Sequence, residues 1–308
     1  MQFFGETDID FIGLRKIAFI ISGVVIGISI VFLVLKGGPK LGLDFTGGVE
    51  IHLKFNGPTP ISWVRTGLSK IGLGSAVIQS YGKKEENLVL IRFGVEEVSQ
   101  DTASKIVLRI EKVLREEFKE RENPFIVQST NLIGPKISEE LRRGALLAII
   151  FSLLGMLIYI SWRFKLRFAV GAVVALAHDV FISVGALSLG NFEFNLPIIA
   201  ALLTIIGYSL NDTIVIYDRI RESFKTYRKR RFSYKKVFNL SINQSLSRTI
   251  VTSLTTFVVV LALFLWGGAA IHGFAFTLLV GIIVGTYSSS FVATPVVYTW
   301  GEGKTKRR

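Results

Sequence analysis

The chain has 308 residues, half of them apolar, a mean hydropathy of +0.50 and a formal net charge of +13. Apolar residues at that level, gathered into runs long enough to cross a bilayer, exclude an ordinary soluble domain. There is no cysteine, which excludes disulfides and thiolate metal sites.

The first predicted element is an apolar helix, Ile17–Leu35, behind Arg15-Lys16. A signal peptide opens in the same way. This 19-residue run is longer than a usual signal core and no small-x-small cleavage site follows it, so a retained helix is expected. Residues 36–143 form the only large hydrophilic block. Within it, "LDFTGGVEIHLKF" alternates in character and predicts a strand pair or one bulged strand. "TPISWVRTGLSKIG" opens on Thr59-Pro60, a cap and a first-turn proline, and predicts a helix. "SAVIQSYG" and "NLVLIRFG" predict two strands joined by the charged turn "KKEE". "SQDTASKIVLRIEKVLREEFKE" is apolar at 106, 107, 110, 113, 114 and 118, an amphipathic helical pattern, and "PFIVQSTNLIG" predicts a last strand. The order β-α-β-β-α-β predicts a ferredoxin-like α+β domain.

"GPKISEELRRG" then runs as a helix into the membrane. Five further apolar runs follow: Ala145–Ile160, Phe168–Leu189, Leu196–Tyr217, Thr249–Trp266 and Phe274–Tyr298. The predicted fold is therefore an α-helical membrane protein with six transmembrane helices and an α+β ferredoxin-like extracytoplasmic domain between helices one and two. Residues 1–35 are the N-terminus and first helix, 36–143 the outer domain, and 144–308 a five-helix bundle with a basic cytoplasmic loop at 218–248. "GEGKT" at 301–305 has the ending of a phosphate-binding loop, but Tyr298 stands where the first glycine is required and no strand precedes it.

A charge of +13 raises the question of nucleic acid. Its distribution argues against that partner. Residues 1–16, 162–167, 218–248 and 301–308 hold 19 Lys/Arg and six Asp/Glu, an excess equal to the whole net charge. The short connectors 190–195 and 267–273 hold no Lys or Arg. Positive segments stay in the cytoplasm, so both termini are expected inside. The basic stretch "RKRRFSYKK" is also suited to anionic lipid.

Charge inside a membrane helix is costly and usually functional. Asp179 lies 11 residues into the third apolar run, roughly 17 Å from its inner end. Asp212, in "GYSLNDTIVIYDRIRE", lies six residues before Asp218, roughly 9 Å above the inner boundary. Arg248 opens the fifth helix, and with Thr252, Thr255 and Thr256 it shares one predicted face. Thr286, Ser290 and Thr294 repeat every four residues in the sixth. Burial disfavours a charged carboxylate and a nearby cation favours it. If Arg248 approaches and withdraws, Asp212 captures and releases a proton by turns, the working principle of a proton-driven machine. Asn211 and Ser209 are expected to position that group, Gly207 to allow close packing or a bend, and His178 to make a helix–helix contact.

"LGLDFTGGVEI", "GYSLNDTIVIYDRIRE", "SLSRTIVTSLTT" and "GTYSSSFVATPVVY" together resemble the SecF family, the smaller subunits of the SecD–SecF protein-export pair, within the resistance-nodulation-division superfamily. The resemblance spans almost the whole chain. It implies a non-enzymatic, cofactor-free subunit of the prokaryotic cytoplasmic (inner) membrane. That subunit aids preprotein export through the SecYEG channel at the expense of the proton-motive force. It implies that Asp212 is the proton-relay acid, with Arg248 its charged partner; Asn211 and Asp179, read from their place in the helices, are expected in the same relay. Asp44, Gly47 and Gly48 fall on the family's outer motif, where a structural or domain-orienting role is expected and the glycines permit positive φ or close backbone approach. A second six-helix half, SecD, is implied as partner. Two other classes compete with this reading. An intramembrane aspartyl protease needs the two acids to share a proton at close range. Half of a small-molecule or lipid exporter needs an apolar pocket in the outer domain.

Overall fold

The computed structural model describes residues 7–82, 84–94, 100–119, 122–227 and 232–305. In chain order the elements are α1 (Arg15–Leu35), α2 (Leu43–Thr46), β1 (Gly48–Phe55), α3 (Ile61–Ser69), β2 (Val77–Tyr81), β3 (Leu88–Phe93), α4 (Gln100–Lys119) and β4 (Phe125–Ile133). They continue with α5 (Pro135–Arg163), α6 (Leu166–Leu189), α7 (Leu196–Thr226), α8 (Tyr234–Trp266), α9 (Ala269–Ser288) and α10 (Thr294–Thr305). Two compact units emerge, Leu41–Ala145 and the remainder, Met1–Lys40 with Leu146–Arg308.

The larger unit is helical. Among the described residues six helices are long and apolar enough to cross a membrane: α1, α5, α6, α7, α8 and the continuous span Ile271–Gly301. α6, α7 and the last span are the most deeply embedded, with 56% of each apolar window buried; α1, α5 and α8 are largely exposed along their lengths. Asn195 caps α7 by accepting from the Ile198 amide at 3.2 Å, and Pro197 sits in the first turn, where its missing N–H costs nothing. Ser233 caps α8 in the same way through the Lys236 amide. Helix continues on both sides of the connector, so the loop expected at 218–248 is a correction. α7 runs on to Thr226 and α8 begins at Tyr234, because both segments keep packing aromatic rings: Phe224 on Tyr234 at 5.3 Å and Tyr234 on Phe238 at 4.9 Å. Arg228–Arg231, at the heart of the basic stretch, lie outside the described residues.

Ahead of α1, a short segment is pinned onto the start of α8. Phe11 and Ile12 are buried in the core. Asn243 accepts from the Ile9 amide and donates to the Ile9 carbonyl, and Asn239 accepts from the Ile12 amide and donates to Asp10. The Lys235 ammonium completes the clasp and holds the Asp10 carboxyl below its ordinary range.

The smaller unit is a four-stranded antiparallel sheet in the order β2-β3-β1-β4, with α3 and α4 between the strands in sequence. Strand alternation sends Val49, Ile51, Leu53 and Phe55 into one core with Val64 and Leu68 of α3 and Ile110, Leu114 and Phe118 of α4. The other sheet face carries Glu50, His52 and Arg92. Glu50 stands opposite Arg92 across β1 and β3 and takes charge-assisted bonds from Arg92 and His52. Burial pulls the Glu50 carboxyl up, but those two partners more than offset it and leave it below its ordinary range. The expected strand pair at "LDFTGGVEIHLKF" is one strand, with a register shift at His52/Leu53, preceded by the single helical turn α2. Pro60, rather than Thr59, is the N-cap residue of α3.

Candidate functional site

Small residues bring α7 and α9 together. A Cβ on Gly281 would fall 2.3 Å from Ile205, and one on Gly285 would fall 3.0 Å from the Ser209 side chain. Glycines four apart on one helix face are the membrane device for close backbone approach. Here they bring a row of hydroxyls into the heart of the bundle.

Asp179 on α6 is fully buried. Its Oδ2 accepts from Ser209 of α7 at 2.6 Å and from Ser288 of α9 at 2.8 Å. Its Oδ1 lies 2.9 Å from Nδ1 of the adjacent His178. The other ring nitrogen of His178 meets the Ser22 hydroxyl of α1 at 3.1 Å, and Ser22 is 3.2 Å from the Tyr287 hydroxyl, which donates to the Ala18 carbonyl. One carboxylate thus links α6, α7 and α9 directly and α1 through a histidine. The expectation that His178 makes a helix–helix contact describes only part of what it does.

Asp212 lies three residues beyond Ser209 on α7 and is also buried. Ser253 of α8 donates to its Oδ2 at 3.3 Å and in turn accepts from Thr286 of α9 at 2.7 Å. One turn before Ser253, on the same buried face, the Thr249 hydroxyl has no protein partner. Next to these groups on α7 and the last span, Thr213 and Ser289 meet at 2.9 Å. Ser289 opens a π-turn, Ser289–Ala293, that interrupts the last span, and Thr294 bonds back five residues to the Ser289 carbonyl. Single π-turns inside helices are frequent at functional positions.

The structure brings some predicted residues together and not others. Asp179, Ser209 and Asp212 converge. Asn211 and Arg248 are exposed, and no ion pair joins Arg248 to Asp212, although the guanidinium is within electrostatic range. The predicted stripe at 248, 252, 255 and 256 does not line the site: Thr252, Thr255 and Thr256 bond to carbonyls of their own helix, and the inward face of α8 is Thr249, Ser253 and Val260. Gly207 has open space where a Cβ would be and α7 passes it without a break, so neither close packing nor a bend occurs there. The two acids share no hydrogen bond, contrary to what a protease dyad requires. Sequence reasoning missed Ser22, Thr213, Tyr287, Ser288 and Ser289; the run "SSS" at 288–290 was the available signal. In the smaller unit, Asp44 lies in the first turn of α2. Gly47 has φ 71° and Gly48 has φ 125°. A Cβ on Gly48 would fall 2.4 Å from the Phe93 carbonyl oxygen, so both positions demand glycine.

Residues 113–303 match the family model for the C-terminal part of the SecD/SecF protein export membrane proteins, and residues 32–59 match the SecD/SecF GG motif. The chain belongs to the SecD/SecF family. Gly47 and Gly48 lie within the matched GG motif, and both carboxylates and their hydroxyl partners on α7 to α9 lie within the C-terminal match. Protein translocase subunit SecF of Calditerrivibrio nitroreducens is 46% identical over 95% of this chain and 94% of its own length. SecF of Thermodesulfovibrio yellowstonii is 43% identical over the whole of both chains. Among solved structures, SecDF of Thermus thermophilus, a translocon-associated membrane protein, superimposes with a TM-score of 0.82 at 36% identity, covering 96% of this chain and 39% of that one. A SecDF in a super-membrane-facing form gives 0.69 at 33% identity. This chain therefore spans about two-fifths of the SecDF chains it matches. SecF proteins are translocase subunits rather than enzymes.

Proposed function

We propose that this SecF-family chain works with a SecD partner as an accessory subunit of the Sec translocase, and that it uses the proton-motive force to aid preprotein export through SecYEG. The observation that carries the reading is the pair of buried carboxylates set among hydroxyls from facing helices. Asp212 is the relay acid, Asp179 a second acid of the same relay, and Thr249 and Ser253 are the hydroxyls on the way to Asp212. An unpartnered buried hydroxyl such as Thr249 is suited to a mobile water. Asn211 and Arg248 lie on exposed faces, and a second half such as SecD would cover them. This supports their action across that interface, with Arg248 drawn toward Asp212 in one state and away in another.

In this reading the protein sits in the cytoplasmic membrane of a prokaryote with both termini inside. The smaller unit is a ferredoxin-like domain on the outer face, and its α-β order and the sheet order β2-β3-β1-β4 support that assignment. Asp44 and the two glycines of its GG turn are structural elements, the glycines supplying the positive-φ turn that opens β1. The chain needs no cofactor, and nucleic acid is not a partner. The test is export into vesicles holding the chain, SecD and the channel. Asp212→Asn is expected to abolish stimulation by a proton gradient while leaving co-purification with SecD intact. Full stimulation by the variant would overturn the assigned role.

A further inference from the structure

At the basic end of the bundle a cleft of about 470 Å³ opens where the end of α5 and the start of α6 face the last turns of α7 and the start of α8. Five cations line it: Arg163, Lys165, Arg167, Arg221 and Lys225. Among the described residues Asp218 is the carboxylate that pairs with them, bridging Arg163 at 3.4 Å and Arg221 at 3.1 Å. The neighbouring Glu222 is paired to Arg219 at 2.7 Å. Positive charge is therefore left over in a partly enclosed space.

The cations are held rather than waving in solvent. Arg163 and Arg221 both lie against the Phe164 ring, at 5.3 and 5.5 Å from its centroid. Arg167 lies over Phe168 at 5.1 Å and donates Nη1 to the Tyr234 hydroxyl at 3.1 Å. Gly301 makes room for this last pair, since a Cβ there would fall 2.1 Å from the Tyr234 oxygen. The Nε of Arg167 is buried with no protein partner. A buried guanidinium N–H without an acceptor is costly, and its fork geometry suits a phosphate oxygen.

The setting selects among phosphates. Beside the cleft the surface turns apolar: Trp162 is 84% exposed and Leu166 58%, and Ile158 and Tyr159 continue the exposed strip one turn along α5. Exposed aromatics at the end of a span mark the headgroup level of a bilayer. We infer that this cleft binds the phosphodiester headgroup of an anionic phospholipid, whose acyl chains lie along α5. Basic pockets between membrane helices on the inner side are suited to such headgroups. The leaflet follows from the topology proposed above, whereas occupancy of the cleft does not depend on it.

The experiment uses the full chain in nanodiscs or detergent. Bound lipid is counted by native mass spectrometry during titration with phosphatidylglycerol or cardiolipin, and with phosphatidylcholine as the uncharged-headgroup comparison. Retention of the anionic lipids over phosphatidylcholine is expected. The triple variant Arg163→Gln, Arg167→Gln, Arg221→Gln should weaken it by roughly a hundredfold, as follows from losing three cations at an anionic surface. Lys105→Gln with Lys112→Gln, on α4 of the smaller unit, should change it little. Arg167→Lys keeps the charge but not the fork, and serves where the triple variant fails to fold; it should lose several-fold in affinity. Equal retention of anionic and zwitterionic lipid, or full retention by Arg167→Lys and the triple variant, overturns the site. Displacement of the lipid by inorganic phosphate at matched concentration overturns the lipid assignment in favour of a soluble phosphate. Displacement by an acidic peptide overturns it in favour of a protein partner.

Discussion

The Ser209 hydroxyl donates to Asp179 at 2.6 Å. Its own helix carries Asp212 less than one turn further on, so this serine ties the helix that bears one carboxylate to the other. Ser209→Ala leaves Asp179 Oδ2 with Ser288 alone. A loss of about 1–3 kcal/mol in bundle stability is expected for removing one partner of a buried charged group, measured by thermal unfolding in detergent. Proton-driven export should fall with it. Ser209→Thr, which keeps the hydroxyl, should recover the export activity more fully than Ser209→Ala.

Arg248→Met should act like Asp212→Asn and remove the response of export to a proton gradient. Because Arg248 is exposed and makes no ion pair with Asp212, the variant should leave the stability of the isolated chain nearly unchanged. Asp179→Asn should lower the response less. The comparison is export into vesicles with and without a gradient, beside the melting temperature of each variant.

Gly48→Ala tests the GG turn. It forces a side chain into φ 125° and places Cβ 2.4 Å from the Phe93 carbonyl oxygen. Strain of this kind costs on the order of 1–3 kcal/mol or more. Hydrogen exchange should show lost protection in β1 and β3, with α6 and α7 unaffected.

Glu50 gives the smaller unit an acid-sensitive component. Its carboxyl is held below the usual glutamate range in the folded state by Arg92 and His52, against the pull of burial. A depressed acid contributes stability that is fully present above its unfolded value and lost as pH falls through its folded value. Protection of β1 and β3 should therefore be steady near neutrality and weaken once the pH drops below the ordinary glutamate range. In Glu50→Gln that dependence should flatten, at a lower level of protection throughout.

Much of this was legible in the sequence because two periods carry it. Apolar run lengths mark the spans, and two-residue alternation marks Val49, Ile51, Leu53 and Phe55 as one face. The acids stood out because carboxylates are rare in such runs. Their surroundings were not legible. A helical spacing of hydroxyls at 252, 255 and 256 is equally a lining and a set of side chains bonded to their own helix, and only packing decides between them. The π-turn at Ser289 shifts the phase of the last span, so the four-residue period of 286, 290 and 294 does not run through it. The clasp of Ile9, Asp10 and Ile12 by Asn239 and Asn243 joins residues more than 220 positions apart, beyond any local pattern.

That clasp also sets a schedule. A ribosome making about 5–20 residues per second needs roughly 10–50 s to pass from Ile9 to Asn243. Throughout that interval Phe11 and Ile12 have been synthesised but lack the surface that buries them. The nascent chain therefore carries two sticky side chains, Phe11 and Ile12, until its fifth span begins to emerge, and the burial of that pair waits on a partner made long after it.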